Sequence, residues 1–423
     1  MLLRTFIIDT YLWVMIVPIL GLMFYIIRNS FNLANFSNRL DIVFTVYAIY
    51  GLVFLFFNSL IAEDMKIIFR DYVHIYLPVI FYFLSKHIIV TNPKKTVFLF
   101  KFIVFISFVL AIDIIIEIYI ISVLDLPEKI PWMKFSLQNS ELAGNIMWDT
   151  QGQIYKKTHY YYSIMGNSKA AGLAIASLGA FIYPFLFKKK DSSNIIILPT
   201  IYIRILFMML VTASILLPST SNTLSLLFAL PILTLVSSRR VKGGITLIGV
   251  YLITYVIFYE NINQQIMLRL FTYNINNLSA VEYIFSLDSL IDYVTDVNIL
   301  PLIFGSHTLP SHFPMTPLTE LDLLLLPFEY GLIWSIIVIV GLKEYLSTCR
   351  KLIYNRLNNI LNQTMGLAAL GFIIVYASNL HYPKILFHGN IELFFMISGI
   401  ISGMSEHGLM ARHSKKFLRL RSN

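Results

Sequence analysis

The chain has 423 residues, 57% of them hydrophobic and 13% charged, with a formal charge of +9. A soluble chain typically carries about 25% charged residues, so this composition, with a mean hydropathy of +0.73, excludes a water-soluble domain. The positive charge does not indicate nucleic acid, because most Lys and Arg sit in short connections between apolar runs, as the positive-inside rule produces; a barrel is excluded too, since its strands alternate over roughly ten residues.

In chain order, apolar runs predict spans near 11–27, 41–61, 72–90, 97–122, 164–187, 195–217, 222–237, 244–259, 320–342, 363–380 and 390–404. Each is near the roughly 20 residues that cross about 30 Å of hydrocarbon as a helix. The expected fold is therefore all-α: one integral membrane domain over 1–423 with about eleven (ten to twelve) transmembrane helices. The first run is followed by Arg28 and Asn29 rather than a small-residue cleavage site, so no cleavable signal peptide is expected. Basic clusters at Lys188–Lys190, at Arg239, Arg240 and Lys242, and at Lys343, Arg350, Lys351 and Arg356 mark cytoplasmic connections. The tail, with Arg412, Lys415, Lys416, Arg419 and Arg421, is cytoplasmic by the same rule, and an odd span count puts the N-terminus outside.

Two long connections, 123–163 and 260–319, fall on the outer side. Trp132, Trp148, Tyr160, Tyr161, Tyr162 and Phe285 favour folding back onto the membrane surface. Within the second, 280–293 places Val281, Ile284, Phe285 and Leu287 opposite Glu282, Asp288 and Asp292, an amphipathic helix by spacing. It reads as a lid-like interfacial helix or as a partner-binding one. No internal repeat is visible, which weighs against an inverted-repeat transporter.

Chemistry-bearing residues are few. In TPLTELDLLLLPFEYG (316–331), Thr316 can N-cap and Pro317 suits a first helical turn. Glu320 and Asp322 then sit near a helix N-terminus, which favours acids by about 0.3–1 kcal/mol each with no chemistry at all. Residues two apart point roughly 200° away from each other, so one acid would act and the other would orient or cap. Asp113 and Glu117 share a face of the fourth span, close to its outer end, where exposure is cheap. Arg204 reads as snorkelling to the cytoplasmic side. Metal ligation is not expected: the His show no HxxxH or HxxEH spacing, and Cys349 stands alone.

GNSKAAGLAIA (166–176), LPSTSNTLSLLFAL (217–230), PLIFGSH (301–307) and TELD followed by EYGL (319–332) resemble, in this order, the O-antigen polymerase and O-antigen ligase superfamily. The resemblance covers roughly residues 160–400 and implies a GT-C-like membrane fold. In the ligases a His of the large outer loop stands eleven residues before a helical Gly; here Glu320 stands eleven before Gly331. An acidic Glu-x-Asp at this place resembles the polymerase branch more. The implied activity is polymerisation of polyprenyl-pyrophosphate-linked oligosaccharide repeat units at the periplasmic face of a bacterial inner membrane, with no metal or other cofactor. The implied partners are the lipid-linked donor and acceptor and membrane lipids, with a flippase and a chain-length regulator as further candidates.

Such chemistry needs a carboxylate within reach of the acceptor hydroxyl and cations on the diphosphate. Glu320 is the candidate base, with Asp322 in support. The family commonly has an Arg or Lys within the segment matched by 219–223, where this chain has Asn222. The clamp then falls to Arg269, Lys169 beside Asn167, and Lys384 with His381 and His388; interface anchoring is the plain alternative for each. Three other readings stay open: a ligase moving glycan to lipid A core, a glycolipid flippase or transporter, which predicts polar groups deep in the bundle, and a structural or scaffolding membrane protein, which needs no cavity.

Overall fold

A computed structural model describes residues 38–61, 65–122, 168–187, 199–216, 220–237, 243–249, 251–252, 303, 331–354, 360–378 and 390–421. Among them there is helix and no strand. The elements are α1 (Arg39–Ile61), α2 (Met65–Thr91), a 3-10 turn (Pro93–Lys95), α3 (Thr96–Ser122), α4 (Ser168–Ile182) with a 3-10 end (Tyr183–Phe187), α5 (Thr200–Leu216), α6 (Thr220–Val236), α7 (Gly331–Tyr354), α8 (Ile360–Ser378) and α9 (Asn390–Arg421). Residues 243–249 and 251–252 are also helical. The expected span 11–27, both long connections except Ile303, and the amphipathic segment 280–293 lie outside the described residues.

Three helical stretches among the described residues, Pro93–Glu117, Gly331–Tyr354 and Ile360–Ser378, are long and apolar enough to cross a membrane, and four shorter apolar helices accompany them. Several helices carry outward faces that are apolar at helical spacing. Ile42, Val46, Ile49 and Leu52 are exposed on α1, Phe98, Phe102 and Phe105 on α3, and Leu224, Phe228 and Leu235 on α6. In water such continuous apolar faces would drive association; in hydrocarbon they need no partner. The protein is a helical membrane protein.

The helices sort by which end carries basic residues. Arg39, at the start of α1, reaches Glu344 of α7 at 3.7 Å. The turn after α2 presents Lys94 and Lys95, and Asn92 caps it by accepting from the Lys94 amide. Phe100, early in α3, packs on Phe185 at the end of the α4 segment, ring centroids 4.2 Å apart. Tyr345 of α7 donates to the Ala369 carbonyl of α8. One end of the bundle thus gathers the start of α1, the ends of α2, α4 and α7, and the start of α3.

Two expected bounds are corrected. Gly331, the first residue of α7, stands at φ 86°, outside the right-handed helical region, and residues 320–330 of the expected span 320–342 lie outside the described residues. Beyond residue 342, α7 continues to Tyr354. It can do so because Tyr345, Thr348, Cys349 and Leu352 recur at helical spacing and are buried while Lys351 and Arg350 are exposed. Likewise α9 does not stop near 404 but runs 32 residues to Arg421.

The tightest packing is α9 on α2. A Cβ at Gly399 would collide with Ser85 Oγ and the Tyr82 carbonyl, and one at Gly403 would come within 2.9 Å of Ile89 Cβ. Small residues four apart let two backbones touch, the association mode favoured where lipid removes the hydrophobic driving force.

Candidate functional site

Of the candidates read from the sequence, Glu320, Asp322, Arg269, Asn167, Lys384, His381 and His388 lie outside the described residues. Lys169 is the second residue of α4, at the end away from Lys94 and Lys95. Asn222 is in the first turn of α6 and its side chain is buried. Beside it, Thr223 Oγ1 donates to the Ser214 carbonyl, stitching the end of α5 to the start of α6. Gly179 of α4 meets Leu226, one turn past Asn222. Lys169 and Asn222 therefore belong to neighbouring helix starts on the same side of the bundle.

Asp113 and Glu117 overturn their reading as cheaply exposed acids. Both are buried, on the face of α3 that also buries Leu110 and Ile114. Spacing four apart showed that they share a face, but not that this face looks inward. Arg204 is exposed near the start of α5, on the basic side.

The structure also assembles a site that hydropathy passes over. Asn38 N-caps α1: the Asp41 amide donates to its carbonyl at 3.0 Å, and its own amide donates to Asp41 Oδ2 at 3.0 Å, a reciprocal cap. Asp41 Oδ2 also accepts from Lys86 Nζ at 2.6 Å, and Asp41 Oδ1 from the Tyr82 hydroxyl at 2.6 Å. Lys86 Nζ lies 2.8 Å from Glu406 Oε2. Asp41 is 0%, Lys86 6% and Glu406 3% exposed. Ser402 Oγ accepts from Asn38 Nδ2 at 3.0 Å and stands 3.1 Å from the Tyr82 hydroxyl. Three helices, α1, α2 and α9, thus share one enclosed ion cluster of two carboxylates and one ammonium. Glu406 Oε1 has no hydrogen-bond partner among the described residues.

Toward the other end of the same three helices lies a second polar group. Glu392 is in the first turn of α9, and its Oε2 is enclosed with no hydrogen-bond partner among the described residues. Tyr47 of α1 is within electrostatic reach of Glu392 and of Tyr76 on α2. Tyr76 donates to the Ala48 carbonyl at 2.9 Å. Tyr47 also packs edge-on against Trp334 of α7, centroids 4.6 Å apart. Below it, a small cavity between α1, α7, α8 and α9 is lined by Tyr47, Phe44, Gly341, Tyr376, Phe394 and Phe395.

Buried ionisable groups thus also lie within the bundle, where α1, α2 and α9 meet. A sequence signal for them existed. Asp41, Lys86 and Glu406 are single charges of complementary sign at the ends of three apolar runs. Among the described residues no group of three or more His, Cys, Asp or Glu is placed to hold a metal ion. Comparison of the chain with known protein families, with curated proteins and with solved structures gives no match.

Proposed function

We propose that this chain is a membrane-embedded glycosyltransferase that polymerises polyprenyl-pyrophosphate-linked oligosaccharide repeat units, of the O-antigen or a similar surface polysaccharide. It works at the outer face of a bacterial inner membrane, with the C-terminus in the cytoplasm. The observation that carries this reading is the order of four short motifs, ending in Glu320 and Asp322 ahead of Gly331. The helical bundle, with Lys169 and the buried Asn222 on the side away from Lys94 and Lys95, supports it.

In this reaction the Glu320 carboxylate takes the proton of the acceptor hydroxyl. The acceptor oxygen bonds to the anomeric carbon of the donor, and the polyprenyl pyrophosphate departs with the bonding pair. Asp322 orients Glu320 or the acceptor. Arg269, Lys169, Lys384, His381 and His388 grip the diphosphate, with Asn167 and Asn222 lining its approach. A flippase supplies the glycolipid and a chain-length regulator acts downstream.

The test is Glu320→Gln in the cell, with surface glycan profiled. The expected result is a normally inserted protein and core carrying a single repeat unit. Bare core with glycan stranded on its carrier would indicate a ligase. Long-chain glycan made at the normal level would remove Glu320 from the mechanism.

A further inference from the structure

We propose that the seam between α1, α2 and α9 conducts a small monovalent cation, a proton or an alkali ion, between a station at Glu392 and a station at Glu406. This activity does not rest on glycan transfer.

Positions 392, 399, 403 and 406 recur on one face of α9, and Gly399 and Gly403 show that this face packs on α2. Both acids thus look into the same seam, about 21 Å apart along the helix axis. Ionisable residues inside a membrane bundle are rare and costly, and they mark ion or proton paths.

The basic-end station has a surplus carboxylate. Asp41 is fully engaged by Lys86, Tyr82 and the Asn38 amide. Glu406 has the Lys86 contact alone among the described residues, and its Oε1 is open to a further cation. The charged and titratable groups facing this station are Asp41 from α1 and Lys86 and Tyr82 from α2, and the Arg39–Glu344 pair across α1 and α7 lies at the same end of the bundle. At the other station, Tyr47 from α1 lies within electrostatic reach of Glu392, and Tyr76 from α2 within reach of Tyr47.

Hydroxyls and one barrier fill the interval. Tyr82, Ser402 and Ser85 line the lower part, with Ser85 donating to the Met396 carbonyl. Phe44 and Phe395 close the middle at 4.4 Å; Phe44 also packs on Tyr82, and Phe395 on Tyr47. Pro78 lies within α2, two turns before Lys86. Its ring removes one backbone hydrogen bond and permits a bend there, which would draw Tyr82 away from Phe44. Once past the barrier, a proton from Glu392 is accepted by the Tyr82 hydroxyl as that hydroxyl releases its own to Asp41; Lys86 gives a proton to Glu406 and regains one from Asp41, so every group is as it began once Glu406 releases its proton.

The experiment reconstitutes the full purified chain in liposomes. An internal pH dye reads proton flux under an imposed pH gradient, and a sodium-sensitive dye reads alkali flux in a parallel set. Flux above protein-free vesicles is expected, falling to the protein-free rate in both Glu392→Gln and Glu406→Gln and rising in Phe395→Ala. Which dye responds identifies the ion. Glu320→Gln should conduct like wild type, so failure of the glycan reading leaves this one standing, and the reverse. A wild-type chain that moves neither ion faster than empty vesicles overturns the proposal, as does unchanged flux in both Gln variants.

Discussion

Lys86 of α2 and Glu406 of α9 meet at 2.8 Å inside the bundle, joining positions from the two ends of the chain. Because Lys86 also binds Asp41 at 2.6 Å, the ammonium is the keystone and the carboxylates are unequal. The first consequence concerns stability. Lys86→Met leaves two carboxylates facing each other without a cation, and breaking a buried pair from one side costs about 3–5 kcal/mol. Glu406→Gln leaves the balanced Asp41–Lys86 pair intact and should cost about 1 kcal/mol or less. Thermal unfolding in detergent should rank Lys86→Met far below Glu406→Gln, with the double variant recovering part of the loss. Equal melting temperatures for the two single variants would contradict this asymmetry.

A second prediction follows from the α2–α9 contact. Gly399→Ala places a methyl against the Tyr82 backbone carbonyl, which cannot yield without separating the helices. The cost should be about 1–3 kcal/mol, as for other overpacked sites. Gly179→Ala meets Leu226 at 3.4 Å, a side chain that can give by tenths of an ångström. There the helix propensity gain of about 1 kcal/mol should make the change neutral or mildly stabilising. Melting curves of the two variants should move apart; a neutral Gly399→Ala would show that α2 and α9 pack more loosely than the geometry states.

Gly331 supplies the third. At φ 86° a β-branched residue is strained, whereas Asn tolerates the left-handed region. Gly331→Val should lower stability by about 1–3 kcal/mol, and Gly331→Asn by clearly less. Denaturation of both variants measures the difference, and matching losses would argue against a left-handed backbone at this position.

Cys349 offers the fourth. It is buried in α7, so a maleimide should label the native chain very slowly and the unfolded chain at once, because labelling waits for an opening of the helix packing. Prompt labelling of folded protein would place this face of α7 outside the bundle.

Segments such as 41–61, 97–122 and 222–237 were legible because hydrocarbon thickness sets the length of an apolar run, and their observed bounds agree within two residues. The continuation of α7 to Tyr354 was not legible from hydropathy. Lys343, Glu344 and Arg350 lower the local apolar sum, yet the one stripe that packs remains intact through Leu352. The left-handed backbone at Gly331 was hidden as well, since a glycine within an apolar run is compatible with either a helix or a turn.

The candidate site divides along the same line. Residue identity marked Asn222, Lys169, Asp113 and Glu117 as polar groups in an apolar chain, which is a statement about each residue alone. Whether Asp113 and Glu117 faced lipid or bundle depended on which helices lay beside α3. The Asp41–Lys86–Glu406 cluster depended on α1, α2 and α9 becoming neighbours.

Transfer of a segment into hydrocarbon is a sum over its own residues, so the amino-acid order alone determined that this chain is helical and membrane-embedded. Ion pairing and close backbone approach are properties of pairs far apart in the chain. The tertiary structure alone brought residue 406 to residue 86, because two glycines four apart on α9 allowed a helix from one end of the chain to seat against a helix from the other.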